Sequence, residues 1–350
     1  MKLVFVYYAY ENQGSELDLN GYARVARELG HECVVYGHPH PRIPLPYSTD
    51  LSNADAVVFV FEWTTGLQHG DQLDWIRLLE SVPRNRRIVI DCDGRYNDAI
   101  SVGGDFNHRN SRESQWWTDC CDSLTDKIFQ AAVRPLRRNV RSFLFHIYDP
   151  TWEAPLDFTS KDFGMVYVGH SKFRWAGMER VLKAIEPVRD AVGRIAIFGH
   201  GWSEQPHWAG EMRIEDIYQT DPAYLQKLGV EVMDPVPFAD VIATVRRGVF
   251  NPVVYRPLFE HLGMVTCRTF ETIAAGTIPL YLLNREYVRE IFGEAALELR
   301  IDGPEACAKI EDVMARPDHY AEIVREIRED FASRHSPAAR LRELIGIIES

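Results

Sequence analysis

Three short segments in the second half of the chain carry residue types that suit an anionic, hydroxyl-rich ligand. The first is Tyr167-Val168-Gly169-His170-Ser171-Lys172-Phe173-Arg174-Trp175, read as a strand-to-helix turn. Gly169 lets the chain turn tightly, the free N–H groups of the next helix favour an anion, and Lys172 and Arg174 add two cations. That combination suits a diphosphate; a solvated basic loop is the alternative. The second is Ile197-Phe198-Gly199-His200-Gly201-Trp202, where Gly199 permits close approach of a ligand or simply makes a tight turn. The third runs from Thr266 to Leu280. Here Thr266, Arg268, Thr269, Phe270 and Glu271 open a helix that Ala274-Ala275 lets pack closely and Gly276 ends. Glu271 could accept from the vicinal hydroxyls of a ribose, with phosphate on the N–H groups near Thr266 to Thr269. The same residues could instead form a local cap without any ligand.

The first half offers acids and one histidine. Asp91-Cys92-Asp93-Gly94-Arg95-Tyr96 follows a strand. Its Asp-x-Asp could chelate a divalent cation, but the preferred role is Asp93 as a general base or as a hydrogen-bonding partner of an acceptor hydroxyl; a capped turn is the alternative. Glu62-Trp63 could bind a sugar acceptor by a hydrogen bond plus ring stacking. His108, in the polar loop 105–110, is a second candidate base or else a solvated side chain. Trp116-Trp117 reads as helix packing, and the basic runs 84–87 and 134–141 read as surface. No metal site is expected.

These residues need a scaffold, and the hydropathy pattern supplies one. Strands are expected at 3–8, 33–37, 56–61, 87–91 and 142–148, with helices at 16–29, 71–81 and 113–133. The strand runs are almost wholly apolar, the mark of strands covered on both faces of a parallel sheet. A polar, proline-containing stretch at 149–155 reads as a linker. Alternation then resumes, with strands at 164–169, 194–199, 230–233, 249–254 and 278–283. Helices are expected at 177–191, 238–247, 269–275 and 285–292, and three more after Pro304, the last over 336–348. The fold class is α/β: two Rossmann-like doubly wound domains facing a cleft, 1–150 and 160–334. Residues just after each strand, 10–14 and 62–63 among them, would line that cleft.

A length of 350 residues accommodates two such domains, and 46% apolar with 26% charged residues is ordinary for a globular chain. The net charge of −12 argues against a broad grip on nucleic acid or an anionic membrane. Six scattered cysteines without metal-ligand spacing read as reduced thiols, and the first apolar run is too short for a signal peptide, so a cytoplasmic location is expected.

The segment Phe270-Glu271-x-x-Ala274-x-Gly276-x-Ile278-Pro279-Leu280 resembles the donor domain of GT-B fold, nucleotide-sugar-dependent glycosyltransferases, closest to the spore-maturation type related to glycosyltransferase family 1. Gly169 to Arg174 is similar to that family's diphosphate-holding turn, and His335-Ser336 to its closing signature. The resemblance covers about residues 160–350. It implies a UDP-type sugar donor held by the second domain without metal or cofactor. It also implies an acceptor bound by the first domain, and a final helix, about 335–350, that crosses back onto that domain. Gly263 stands eight positions before Glu271, where many retaining members carry a second Glu. A non-catalytic two-lobe sugar-binding protein and a nucleotide-sugar epimerase are the alternatives.

Overall fold

The computed structural model describes residues 1–7, 15–39, 43–62, 80–211 and 215–350. Trp63, residues 10–14 and most of the helix expected over 71–81 lie outside them. The first lobe holds a seven-stranded, wholly parallel sheet in the order β3-β2-β1-β4-β5-β8-β9. Its strands are β1 (Lys2–Val6), β2 (Glu32–Tyr36), β3 (Tyr47–Ser48), β4 (Ala56–Phe61), β5 (Arg87–Asp91), β8 (Ile128–Gln130) and β9 (Arg141–Ser142). Between β5 and β8 a small antiparallel hairpin, β6 (Ser101–Val102) and β7 (Asp105–Phe106), stands off the sheet. The second lobe has five parallel strands in the order β12-β11-β10-β13-β14. These are β10 (Phe163–Val168), β11 (Ile195–Phe198), β12 (Val230–Met233), β13 (Gly248–Val253) and β14 (Ile278–Tyr281). All six residues of β4 and of β10 are buried, as expected for strands sandwiched between layers.

Strand order decides where a ligand can sit. The direction of winding reverses between β1 and β4 in the first lobe and between β10 and β13 in the second. Crevices open at the carboxyl ends of such strand pairs. Residues 6–7 and 61–62 therefore meet at one switch point, and residues 168–170 and 253–256 at the other.

Two expected elements differ. The helix expected over 113–133 stops at Leu124, and Ile128–Gln130 pairs with β5 instead. Thr125 turns the backbone extended there, and its hydroxyl donates to the Arg87 carbonyl at 2.5 Å. The strand expected over 142–148 pairs only at its start. The rest, buried except for the half-buried Leu144, spends its backbone elsewhere: Tyr22 Oη donates to the Phe145 carbonyl at 2.8 Å, Ile147 N to Asp18 Oδ1 at 3.0 Å, and Tyr148 N to the His335 carbonyl at 2.8 Å. It is the passage between lobes, not a sheet edge.

Helix α1 (Ser15–Glu28) receives the last helix, Pro337–Glu349, whose Leu341 and Leu344 are wholly buried in the first lobe's core. The chain thus crosses back. A Cβ on Gly21 of α1 would lie 2.3 Å from Ile147 Cδ1, which shows how closely the crossing segments pack. The lobes also touch at the front. Asp105 of β7, fully buried, takes a two-point contact from Arg256 at 3.1 and 2.5 Å, plus Leu258 N at 3.1 Å. The Phe106 and Phe173 rings meet edge-on beside it at 5.8 Å.

Candidate active site

The second lobe's switch point is built by two glycines that face each other. Gly169 follows β10 at φ +156° and Gly199 follows β11 at φ +152°. A Cβ on Gly199 would sit 2.2 Å from the Gly169 carbonyl oxygen, so only glycine lets these strand ends come together. Trp202 Nε1 donates to that carbonyl at 2.7 Å and pins it. His170, next in line, accepts from His200 N–H through Nδ1 at 3.1 Å, with the two rings stacked at 5.1 Å. Burial, with Arg174 and His200 nearby, brings the His170 pKa down to about 4, so the ring is neutral and carries its proton on Nε2.

A cavity of about 250 Å³ lies in front of these turns, lined among others by Gly169, His170, Arg174, Gly199, Arg256 and Arg268. Lys172 stands close to Arg256 and Arg174; burial first, then their charges, pull its pKa down to about 8. Burial and Arg256 also lower Arg174. Cations that depress one another this way are arranged for an anion that compensates them. A diphosphate is such an anion.

The start of the helix Cys267–Ala274 lines one side of the cavity through Cys267 and Arg268, with Thr266 before it, and Glu271 lies one turn further in. Thr266 makes no side-chain cap, so the local-cap alternative is not realised. Glu271 is 2% exposed, and both its carboxylate oxygens lack a hydrogen bond. Its ion pair with Arg268 spans 3.4 Å, and Arg268 Nη1 is also without a hydrogen bond. Burial raises the Glu271 pKa, which Arg268 partly offsets. A buried carboxylate left this way costs free energy unless something binds it. Two expected donor contacts fall elsewhere. Thr269 is 1% exposed and bonded to Tyr255 Oη. Phe270, fully buried, packs on Phe331 and His335 at 5.3 and 5.2 Å. Both serve the core beneath the site.

Across the cavity stands one described residue of the first lobe, Glu62. Tyr7 Oη donates to its Oε2 at 3.2 Å, and Ser15 Oγ donates to the same oxygen. Beneath it lies a fully buried pair, Asp18 of α1 and His146, joined at 2.6 Å. Burial pulls the His146 pKa down, but Asp18 and then Glu62 outweigh it and the net shift is upward. Asp93 sits partly exposed at the cleft's first-lobe side, close enough to Lys172 for its charge to be felt there.

The other first-lobe expectations resolve structurally. Asp91 accepts from Asp93 N, Arg95 N, Tyr96 N and Gln130 Nε2 at 2.8–3.1 Å. Its lone pairs are spent on holding the turn, so Asp-x-Asp is not a chelating pair here. His108 is 3% exposed and bonds the Arg95 carbonyl through Nε2 at 2.8 Å, and burial lowers its pKa. It braces the loop rather than facing the cleft. Trp117 is core, but its neighbour Trp116 is 49% exposed. Sequence reading gave His170, inside the first candidate turn, no role and missed Arg256, Asp18 and His146. The first two follow strand ends and could have been found by that rule; the last pair is 128 residues apart, with no local signal.

Residues 178–346 match the model of the glycosyl transferase-like family. No curated protein sequence matches the chain. Solved structures do, along the whole length. The DNA-modifying enzyme beta-glucosyltransferase, studied with and without its substrate uridine diphosphoglucose, matches at a TM-score of 0.56 and 12% identity over 100% of both chains. The T4 phage beta-glucosyltransferase gives 0.54 and 11%, again over 100% of both. An alpha-glucosyltransferase in complex with UDP and a 13-mer DNA containing an HMU base gives 0.62 and 12%, over 100% of this chain and 99% of that one. Residues 178–346 carry a glycosyl transferase-like domain, and the whole chain has the GT-B fold. Its two doubly wound lobes, the cleft between them and the crossing last helix are that fold. Among the described residues no helix is long and apolar enough to cross a membrane. The expectation against nucleic acid loses its support, because a protein of this fold is recorded with DNA.

Proposed function

We propose that this glycosyltransferase takes its sugar from a uridine diphosphate donor seated on the second lobe. The observation that carries the reading is Glu271 with Arg268, a buried and unsatisfied pair beside a wall of cations. Glu271 accepts both ribose hydroxyls. Lys172, Arg174 and Arg256, with the His170 Nε2–H, meet the diphosphate and its growing charge as the sugar departs. The uracil is favoured over other bases because the beta- and alpha-glucosyltransferases of this fold are recorded with uridine diphosphoglucose and with UDP. Cations rather than a metal ion neutralise the phosphates. The glycines keep the strand ends close so that backbone N–H groups approach the ligand.

The first lobe binds the acceptor, with Glu62 at the point of contact. Nucleic acid is an acceptor class to test, since the alpha-glucosyltransferase was crystallised with DNA. A thermal-shift panel of nucleoside diphosphates is the direct test of the donor. A ligand at 100 times its Kd adds about 2.7 kcal/mol of stability. UDP should stabilise most; no shift with any nucleoside diphosphate would dismiss the reading.

A further inference from the structure

Among the described residues, the cavity that holds the cation wall is completed from the first lobe by a single side chain, the Glu62 carboxylate. It stands at that lobe's switch point, directly after β4, where β1 and β4 diverge. Both its hydrogen bonds, from Tyr7 Oη and Ser15 Oγ, end on Oε2. Those two donors fix the carboxylate's orientation and leave Oε1 for whatever enters the cavity.

We propose that Glu62 is the general base of the transfer and that the reaction is a single displacement with inversion. The proposal rests on the nucleotide-sugar reading of the second lobe. The acceptor O–H gives its proton to Glu62 Oε1. The acceptor oxygen bonds to the anomeric carbon as the bond from that carbon to the phosphate oxygen breaks. The electron pair of that bond leaves with the nucleoside diphosphate, where Lys172, Arg174, Arg256 and Arg268 meet it. The proton later passes from Glu62 to solvent, and no other reactant is needed.

The groups around Glu62 set its titration. Tyr7 approaches from just after β1 and Asp18 from α1; Cys92 and Asp93 from the turn after β5; His146 from the interlobe passage; and Cys267 from the start of the helix Cys267–Ala274. Arg174 and Arg268 share the cavity wall. Burial raises the Glu62 pKa, His146 and the Ser15 hydroxyl lower it, and Asp93 and Asp18 raise it, for a net upward shift. A base must be ionised, so the rate should fall on acidification at a pH above the ordinary carboxylate range.

The test uses the intact protein with UDP-glucose, water serving as acceptor. Proton NMR reads the anomer of the glucose first released, and calorimetry reads UDP affinity separately. The expected results are release of the β-anomer, an acid limb in the rate, and at least a hundredfold loss in Glu62→Gln with UDP affinity within twofold of wild type. Gln keeps the acceptor for Tyr7 and Ser15, so folding is spared. Release of the α-anomer, full activity in Glu62→Gln, no release by wild type, or a loss confined to Asp93→Asn would each overturn the assignment. Absence of UDP binding to wild type would instead dismiss the donor reading on which it rests.

Discussion

Glu271 is held where its own protein leaves it unsatisfied, 2% exposed with neither oxygen hydrogen-bonded. A site kept this way trades stability for binding. Glu271→Gln should therefore raise the ligand-free melting temperature while weakening UDP; scanning calorimetry with and without nucleotide checks both signs. Lys172 makes a second prediction. Its pKa stands at about 8 rather than the usual 10.5 because of burial and of Arg256 and Arg174. A lysine so depressed loses its charge as pH rises through about 8. UDP, whose terminal phosphate is already dianionic above pH 7, should therefore bind more weakly from pH 7 to 9. Binding near pH 8 should also take up a proton, which titration in buffers of different ionisation enthalpy detects. Lys172→Ala, which removes a charge-assisted contact of roughly 1.5–3 kcal/mol, should abolish most of that pH dependence. Affinity that stays flat across this range in wild type would remove Lys172 from the cradle.

At the scale of elements, the strand ends do the positioning. Gly199→Ala would push a Cβ to 2.2 Å from the Gly169 carbonyl at a φ that L-residues avoid. The two turns must then separate, at a cost of about 1–3 kcal/mol. Urea denaturation should show that loss, together with weakened UDP binding, whereas Gly346→Ala, in the last helix with open space around its Cβ, should bind UDP normally. The β6–β7 hairpin makes a parallel case. Asp105→Asn removes the charge that Arg256 meets, and should cost about 2 kcal/mol and loosen the hairpin's hold on the second lobe, visible as a larger radius in small-angle scattering. Most strands were legible in the sequence because buried parallel strands are continuous apolar runs, and 56–61, 87–91 and 230–233 coincide with β4, β5 and β12. Residues 128–130 and 142–148 were not. Both are short apolar stretches whose state is set by partners far along the chain, the β5 edge in one case and Asp18, Tyr22 and His335 in the other. The cation turn and Glu271 were visible as local motifs. Whether Thr269 and Phe270 face the ligand or the core depends on helix rotation against the second lobe, which spacing alone left open.

Across the whole molecule, one cleft joins the cationic wall of the second lobe to the Glu62 carboxylate of the first, and the lobes are tied by the hairpin, the passage at 143–148 and the crossing of the last helix. The phosphates can be neutralised by side chains, and Asp91 has no lone pair left for a cation. Donor hydrolysis should therefore persist in EDTA; restoration by added Mn²⁺ after a complete loss would show that a metal is required. The central claim is that the second lobe reads a ribose diphosphate through Glu271. Its most direct measurement is a calorimetric double cycle, UDP against 2′-deoxy-UDP on wild type and Glu271→Gln. The expected result is that loss of the 2′-hydroxyl costs wild type several-fold in Kd and costs the variant much less, because the two changes remove one shared contact. Equal losses in both proteins would contradict it, and Glu271 would then hold the helix and not the donor.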